Sequence, residues 1–178
     1  RIKWNDYTPH LYVTRDYGAT WTDLASTLPQ EDPSRVIRED PVRKDLLFAG
    51  TERGLWMSFD GGTHWQTTPR GVPSVPISDL IVHHDDIIVG TEGRGYWILD
   101  DMTPLRQLTP NIANEALHLF TPRPTVRIAN NPRSGGIGSS ASIRYSLGTT
   151  LEPSDTLQLD ILNATGRVIR HLATAGGA

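Results

Sequence analysis

Two stretches of this chain repeat one another, and that repeat limits its fold more than any other feature. Residues 11–21 read LYVTRDYGATW and residues 55–65 read LWMSFDGGTHW, an offset of 44. Residues 47–52 (LFAGTE) line up with 87–92 (IIVGTE) at an offset of 40, and Leu55 and Trp56 with Tyr96 and Trp97 at 41. The complete repeat predicts strands near Arg35–Arg38, Leu46–Thr51, Leu55–Phe59 and Trp65–Thr68. Each is short and rich in apolar or aromatic residues, as strands are. The turns between them fall at Asp40 and Pro41, at Arg53 and Gly54, and at Asp60–Gly62. Helical periodicity is nearly absent; the one candidate is Ile112–Leu119, two turns at most.

A period of 40–44 made of short apolar runs between Gly and Asp turns points to propeller blades. Two strands fall in a first blade (10–24), four in a second (35–68) and three or four in a third (79–110). The fold class expected is all-β: about two and a half four-stranded blades of an incomplete propeller, plus a small, truncated β-sandwich. A closed ring needs at least four blades.

Composition marks the join between these parts. Of 13 aromatic residues, 11 lie in residues 1–97. Residues 1–118 carry 11 basic and 17 acidic side chains, and residues 119–178 carry 6 and 3. Pro122 and Pro124 disfavour helix and suit an extended connector. The expected organisation is therefore a partial propeller over 1–118, a linker and flexible loop over 119–142, and a partial sandwich over 143–178. The loop includes Asn130–Ser142 with Gly135, Gly136 and Gly138; it lacks the Lys and Ser/Thr of a phosphate loop.

The repeated turn has a chemical plan. Thr14, Asp16, Gly18 and Trp21 match Ser58, Asp60, Gly62 and Trp65. An Asp in a tight turn accepts hydrogen bonds from backbone N–H groups a few residues on. Gly supplies a positive φ, and the Ser or Thr hydroxyl adds a second local bond. The Trp is expected to fold back into the blade core. The third repeat, residues 99–106, keeps Asp101 but lacks the Gly and Trp, and His64 stands where the plan has Thr.

These turns resemble Asp-box (BNR-type) repeats, S-x-D-x-G-x-T-W, found in β-propellers of sialidases, xyloglucanases and sortilin-type receptors. Residues 47–56 (LFAGTERGLW) and 89–101 (VGTEGRGYWILDD) are similar to the C-terminal end of large bacterial exported propeller proteins, sortilin-like or labelled glycosyl hydrolase. In that group the last blade is followed by a segment like residues 119–124. A sandwich then follows that resembles the immunoglobulin-like domain of flagellar hook-capping proteins, with residues 143–147 and 159–170 as its strands. The resemblance spans residues 10–172. It implies an exported bacterial protein, periplasmic or extracellular. It also implies upstream blades of the same parent as partners, and a protein or carbohydrate ligand. The Arg1 start then reads as a cut inside a blade.

Antiparallel connectivity sorts the turns by end. The Asp-box turns share one end with Asp40. The other end carries Glu52, Arg53, Glu92 and Arg94, and in propeller enzymes of the resembling families ligands sit there. These four are the ligand-face candidates: Arg grips carboxylates or sugar hydroxyls, and Glu accepts from hydroxyls. The alternative is that they only pair with one another across their hairpins. No catalytic residue is singled out. Asp16 and Asp60 have structural roles, and glycoside hydrolysis needs two carboxylates at a set separation that nothing here marks. His83, His84, Asp85 and Asp86 read as a polar hairpin turn. Neighbouring side chains on a strand point apart, so these do not gather as metal ligands. No cofactor is expected. Cysteine is absent, which excludes disulfides and a cysteine nucleophile. Net charge is −3, against a general nucleic-acid binder. No run of 18 apolar residues suggests a membrane span. The function expected is a non-catalytic binding or scaffold module. The alternative is the C-terminal part of a xyloglucanase-like glycoside hydrolase with its carboxylates in upstream blades.

Overall fold

The computed structural model describes residues 5–68, 72–125, 141–152 and 154–175. The chain is all-β, built of several small antiparallel sheets, none of them closed among the described residues. It divides into two units, one of residues 1–107 with 121–142, the other of 108–120 with 143–178.

In the first unit the strands follow the repeat. β1 (Tyr12–Val13) pairs with β2 (Thr22–Asp23) in sheet 1. Sheet 2 has the order β3 (Ser34–Glu39), β4 (Leu47–Thr51), β5 (Leu55–Ser58) and β6 (Gln66–Thr67). Its strands lie where the repeat predicts them, to within a residue or two at their ends. Sheet 3 holds β7 (Ile77–His83), β8 (Asp86–Thr91) and β9 (Tyr96–Leu99). After β9 the chain enters the short helix α1 (Thr103–Gln107) instead of a fourth strand. The altered third repeat explains the change. Asp101 accepts from the Thr103 hydroxyl and N–H and so starts the helix, and no Gly or Trp is present to fold a hairpin.

Two apolar layers hold the three sheets face to face. Leu11, Leu24, Ala25 and Leu28 pack on Leu47, Ala49 and Trp65 between sheets 1 and 2. Val36, Phe48, Leu55 and Met57 pack on Ile77, Leu80, Ile87 and Val89 between sheets 2 and 3. β4 is buried on both faces because its alternate residues serve the two layers in turn. Gly50 is required there: a Cβ would lie 2.6 Å from Ile77 Cγ2 and 2.7 Å from Val36 Cγ1. Arg106 of α1 ties the far end together. It donates to Asp40, whose side chain is fully buried, to Asp85 and to the His84 carbonyl. Residues 83–86 form the expected hairpin turn, with His84 at φ +53°.

In the second unit α2 (Pro110–Ala113) starts on the Thr109 cap, with Pro110 in its first turn. β10 (Leu117–Leu119) pairs with β11 (Tyr145–Leu147), and β12 (Thr156–Leu162) pairs with β13 (Val168–Ala175). The helix expected over Ile112–Leu119 is thus corrected: its second half is a strand. Asn114 ends α2, and pairing with Tyr145–Leu147 draws the Leu-His-Leu alternation into a sheet. Pairing of β10 with β11 also puts the observed division after Gln107, eleven residues before the join expected at 118. Asn163 caps the turn before β13, accepting from the N–H groups of Thr165 and Arg167. Residues 130–140 of the expected glycine loop lie outside the described residues.

Candidate functional site

The two octapeptide turns fold alike, bond for bond. Thr14 Oγ1 donates to Asp16 at 2.8 Å and accepts from Gly18 N–H at 2.7 Å. Ser58 Oγ donates to Asp60 at 2.8 Å and accepts from Gly62 N–H at 2.9 Å. Asp16 takes the Thr20 N–H at 2.8 Å and the Thr20 hydroxyl at 2.6 Å. Asp60 takes the His64 N–H at 2.9 Å, and His64 Nδ1 sits 2.6 Å from its second oxygen. His64 therefore fills the threonine role. Gly18 and Gly62 stand at φ +95° and +91°. The bonds from the Thr20 hydroxyl and N–H pull the Asp16 carboxyl down from 3.8 to about 2. For Asp60 partial burial pushes up, but the N–H and ring of His64 and the Ser58 hydroxyl outweigh it, and the net direction is down. Both carboxylates are occupied by their own turns, which is a structural role.

The Trp residues of the two turns part company. Trp65 is 8% exposed and donates its indole N–H to the Leu24 carbonyl at 2.6 Å. Trp21 is 62% exposed and turns its indole N–H onto its own Gly18 carbonyl. The expectation that Trp21 lies in a core is corrected, because no sheet packs beyond it among the described residues.

The opposite end of the sheets carries the ligand-face candidates. The turns 51–55 and 91–95 repeat one geometry. Thr51 N–H donates to the Gly54 carbonyl, and Thr91 N–H and hydroxyl both donate to the Gly95 carbonyl. Glu52 N–H reaches the Pro33 carbonyl, and Glu92 N–H the Pro76 carbonyl. Their carboxylates meet on one cation. Arg35 of β3 donates to Glu52 at 2.6–2.7 Å and to Glu92. Burial alone would lower the Arg35 pKa, but bonding to Glu52 and then Glu92 raises it, so its charge is secure. Arg35 thus gathers two candidates from different sheets. The alternative of pairing within each hairpin gives way to a bridge between sheets 2 and 3.

Arg53 and Arg94 remain outside that bridge. Arg53 is exposed and lies 4.0 Å from Glu31. Arg94 is exposed, and among the described residues its guanidinium has no ion-pair partner. Exposed Tyr96 opens the strand just beyond it. Asp32 was missed by sequence reasoning. It is fully buried and accepts from the Thr51 hydroxyl at 2.8 Å, Arg53 N–H at 2.9 Å and Trp56 indole at 3.0 Å. It therefore fixes the turn that carries Arg53. Arg35 was missed as well, because both lie outside the repeated words. An acidic residue between two prolines' worth of link, at positions 29–33, was the only available signal for Asp32. Among the described residues no group of three His, Asp or Glu side chains is placed to hold a metal.

The class defined by this fold is an all-β protein of face-packed antiparallel sheets with a charged end. Comparison with protein-family models, curated proteins and solved structures finds no match for the chain.

Proposed function

We propose that the first unit is part of an Asp-box β-propeller and acts as a non-catalytic binding or scaffold module of an exported bacterial protein. Sheets 1–3 are then its blades, and β10–β13 belong to a partial immunoglobulin-like sandwich. The ligand is a protein or carbohydrate bearing carboxylates, met by Arg53 and Arg94. One observation carries this reading: Arg35 takes up Glu52 and Glu92, while two guanidinium groups stay exposed on the same end. Guanidinium forks pair with carboxylates by charge-assisted hydrogen bonds. The repeated turns and the face-to-face packing support the propeller assignment.

The hydrolase alternative asks for an acid and a base at a cleavage site. Glu52 and Glu92 are instead each bonded to the same guanidinium, which suits a positioning role. The test is titration of the chain with uronic-acid oligosaccharides, their neutral counterparts and acidic peptides. Binding of at least one carboxylate-bearing probe, weakened by salt and lost in Arg53→Ala with Arg94→Ala, is expected. Equal binding of neutral probes by wild type and this variant would overturn the assignment.

A further inference from the structure

The two turns that carry the ligand-face arginines differ at their tips, and the difference begins in the segments that lead into the sheets. Pro33 and Pro76 hold equivalent places, since their carbonyls accept the N–H groups of Glu52 and Glu92. The residues before them are therefore equivalent too: Asp32 ahead of sheet 2 and Val75 ahead of sheet 3. Asp32 is buried and anchors its turn, accepting from Arg53 N–H and from the Trp56 indole. The Val75 side chain offers no acceptor. The N–H groups of Gly93 and Arg94 accordingly have no acceptor among the described residues. The Trp97 indole, which matches Trp56, donates instead to the turn's own Arg94 carbonyl at 3.2 Å.

The tip on sheet 3 is also longer. A bond from threonine N–H to glycine carbonyl closes each turn, Thr51 to Gly54 and Thr91 to Gly95. It encloses Glu52 and Arg53 in the first turn, and Glu92, Gly93 and Arg94 in the second. Gly93 stands at φ +82° and Gly95 at +67°, and a Cβ on either would meet nothing within 4 Å. Arg94 is thus flanked by two residues with wide backbone choice and open space. The base of the turn is held nevertheless: Glu92 N–H bonds to Pro76 and its carboxylate to Arg35. A segment with few internal bonds and an exposed backbone opens at low free-energy cost.

We propose that turn 91–95 is the moving half of the carboxylate-binding end. Asp32 holds Arg53 in place, and Arg94 closes on the bound ligand with Glu92 on Arg35 as the fixed base of the movement. This rests on the reading that Arg53 and Arg94 meet the ligand. A ligand that bonds Arg94 in the closed arrangement shifts the turn toward that arrangement. Ordering the turn costs part of the binding free energy, so affinity is lower than two preset guanidinium groups would give. The span between the two groups can then fit carboxylates of different spacing, as in an oligogalacturonate and an oligoglutamate.

The experiment is residue-resolved amide hydrogen exchange of the whole chain, free and with each of these two probes, beside calorimetric titration of both. In the free chain the Gly93 and Arg94 N–H groups are expected to exchange at least about ten-fold faster than that of Arg53. A probe that binds should slow Gly93 and Arg94 several-fold and leave Arg53 unchanged. Asp32→Ala should speed exchange at Arg53 to the rate of Arg94. Should that variant fail to fold, Val75→Asp with Gly93 deleted copies the sheet 2 tip into sheet 3 and should slow Arg94 in the free chain. Equal protection of Arg53 and Arg94 in the free wild type would overturn the proposal. So would a copied tip that leaves Arg94 exchange unchanged. Calorimetric binding without slowing at Arg94 would overturn the closure and leave the binding reading standing. Binding of neither probe would remove that reading, and the closure with it.

Discussion

At the scale of single residues, the turn carboxylates do their work through hydrogen bonds. Asp60→Ala removes acceptors for the His64 N–H and the Ser58 hydroxyl. The site is part exposed, so water takes over some of these bonds, and the expected cost is about 1–2 kcal/mol by urea denaturation. His64→Thr restores the pattern seen at Thr20 and should change stability by less than about 0.5 kcal/mol in the same measurement. Asp16 has a folded-state pKa below its unfolded one, so it stabilises the fold above the unfolded value. That contribution is lost as pH falls from about 4 toward 2. Asp16→Asn should flatten the acid limb of a plot of urea midpoint against pH, with little change in its slope near neutrality. The turn plan was legible in the sequence because all its partners lie within four positions. The Arg35 bridge was not, because its partners lie 17 and 57 positions away and belong to no repeated word.

At the scale of elements, the repeat located sheet 2 and most of sheet 3, because each strand is a short apolar run bounded by Gly or Asp turns. It failed where non-local pairing decides the outcome. Residues 117–119 became a strand through Tyr145–Leu147, a partner that local spacing does not reveal. The loss of Gly and Trp in the third repeat was legible, but not that α1 would follow. α1 is held by Arg106, which supplies the charge facing buried Asp40. Burial lowers the Arg106 pKa, and bonding to Asp40 and then Asp85 more than offsets this. Arg106→Ala leaves Asp40 buried with, among the described residues, the Val42 and Arg43 N–H groups as its remaining donors. Losing one partner of a buried pair costs about 3–5 kcal/mol, so a thermal midpoint lower by several degrees is expected. Arg106→Lys should recover part of that loss.

At the scale of the molecule, no helix among the described residues is long and apolar enough to cross a membrane. The acidic balance of residues 1–118 makes the exposed guanidinium groups of Arg53 and Arg94 the exceptions on their end of the sheets. The account assigns Glu52 and Glu92 to Arg35 and ligand contact to these two arginines. The most direct measurement compares Glu52→Gln with Arg94→Ala. Each is assayed for calorimetric binding of an acidic saccharide or peptide that wild type binds, and for turnover of that ligand. The account predicts no turnover by any form, binding that falls at least several-fold in Arg94→Ala, and a smaller effect of Glu52→Gln. Hydrolysis by wild type that vanishes in Glu52→Gln would contradict it.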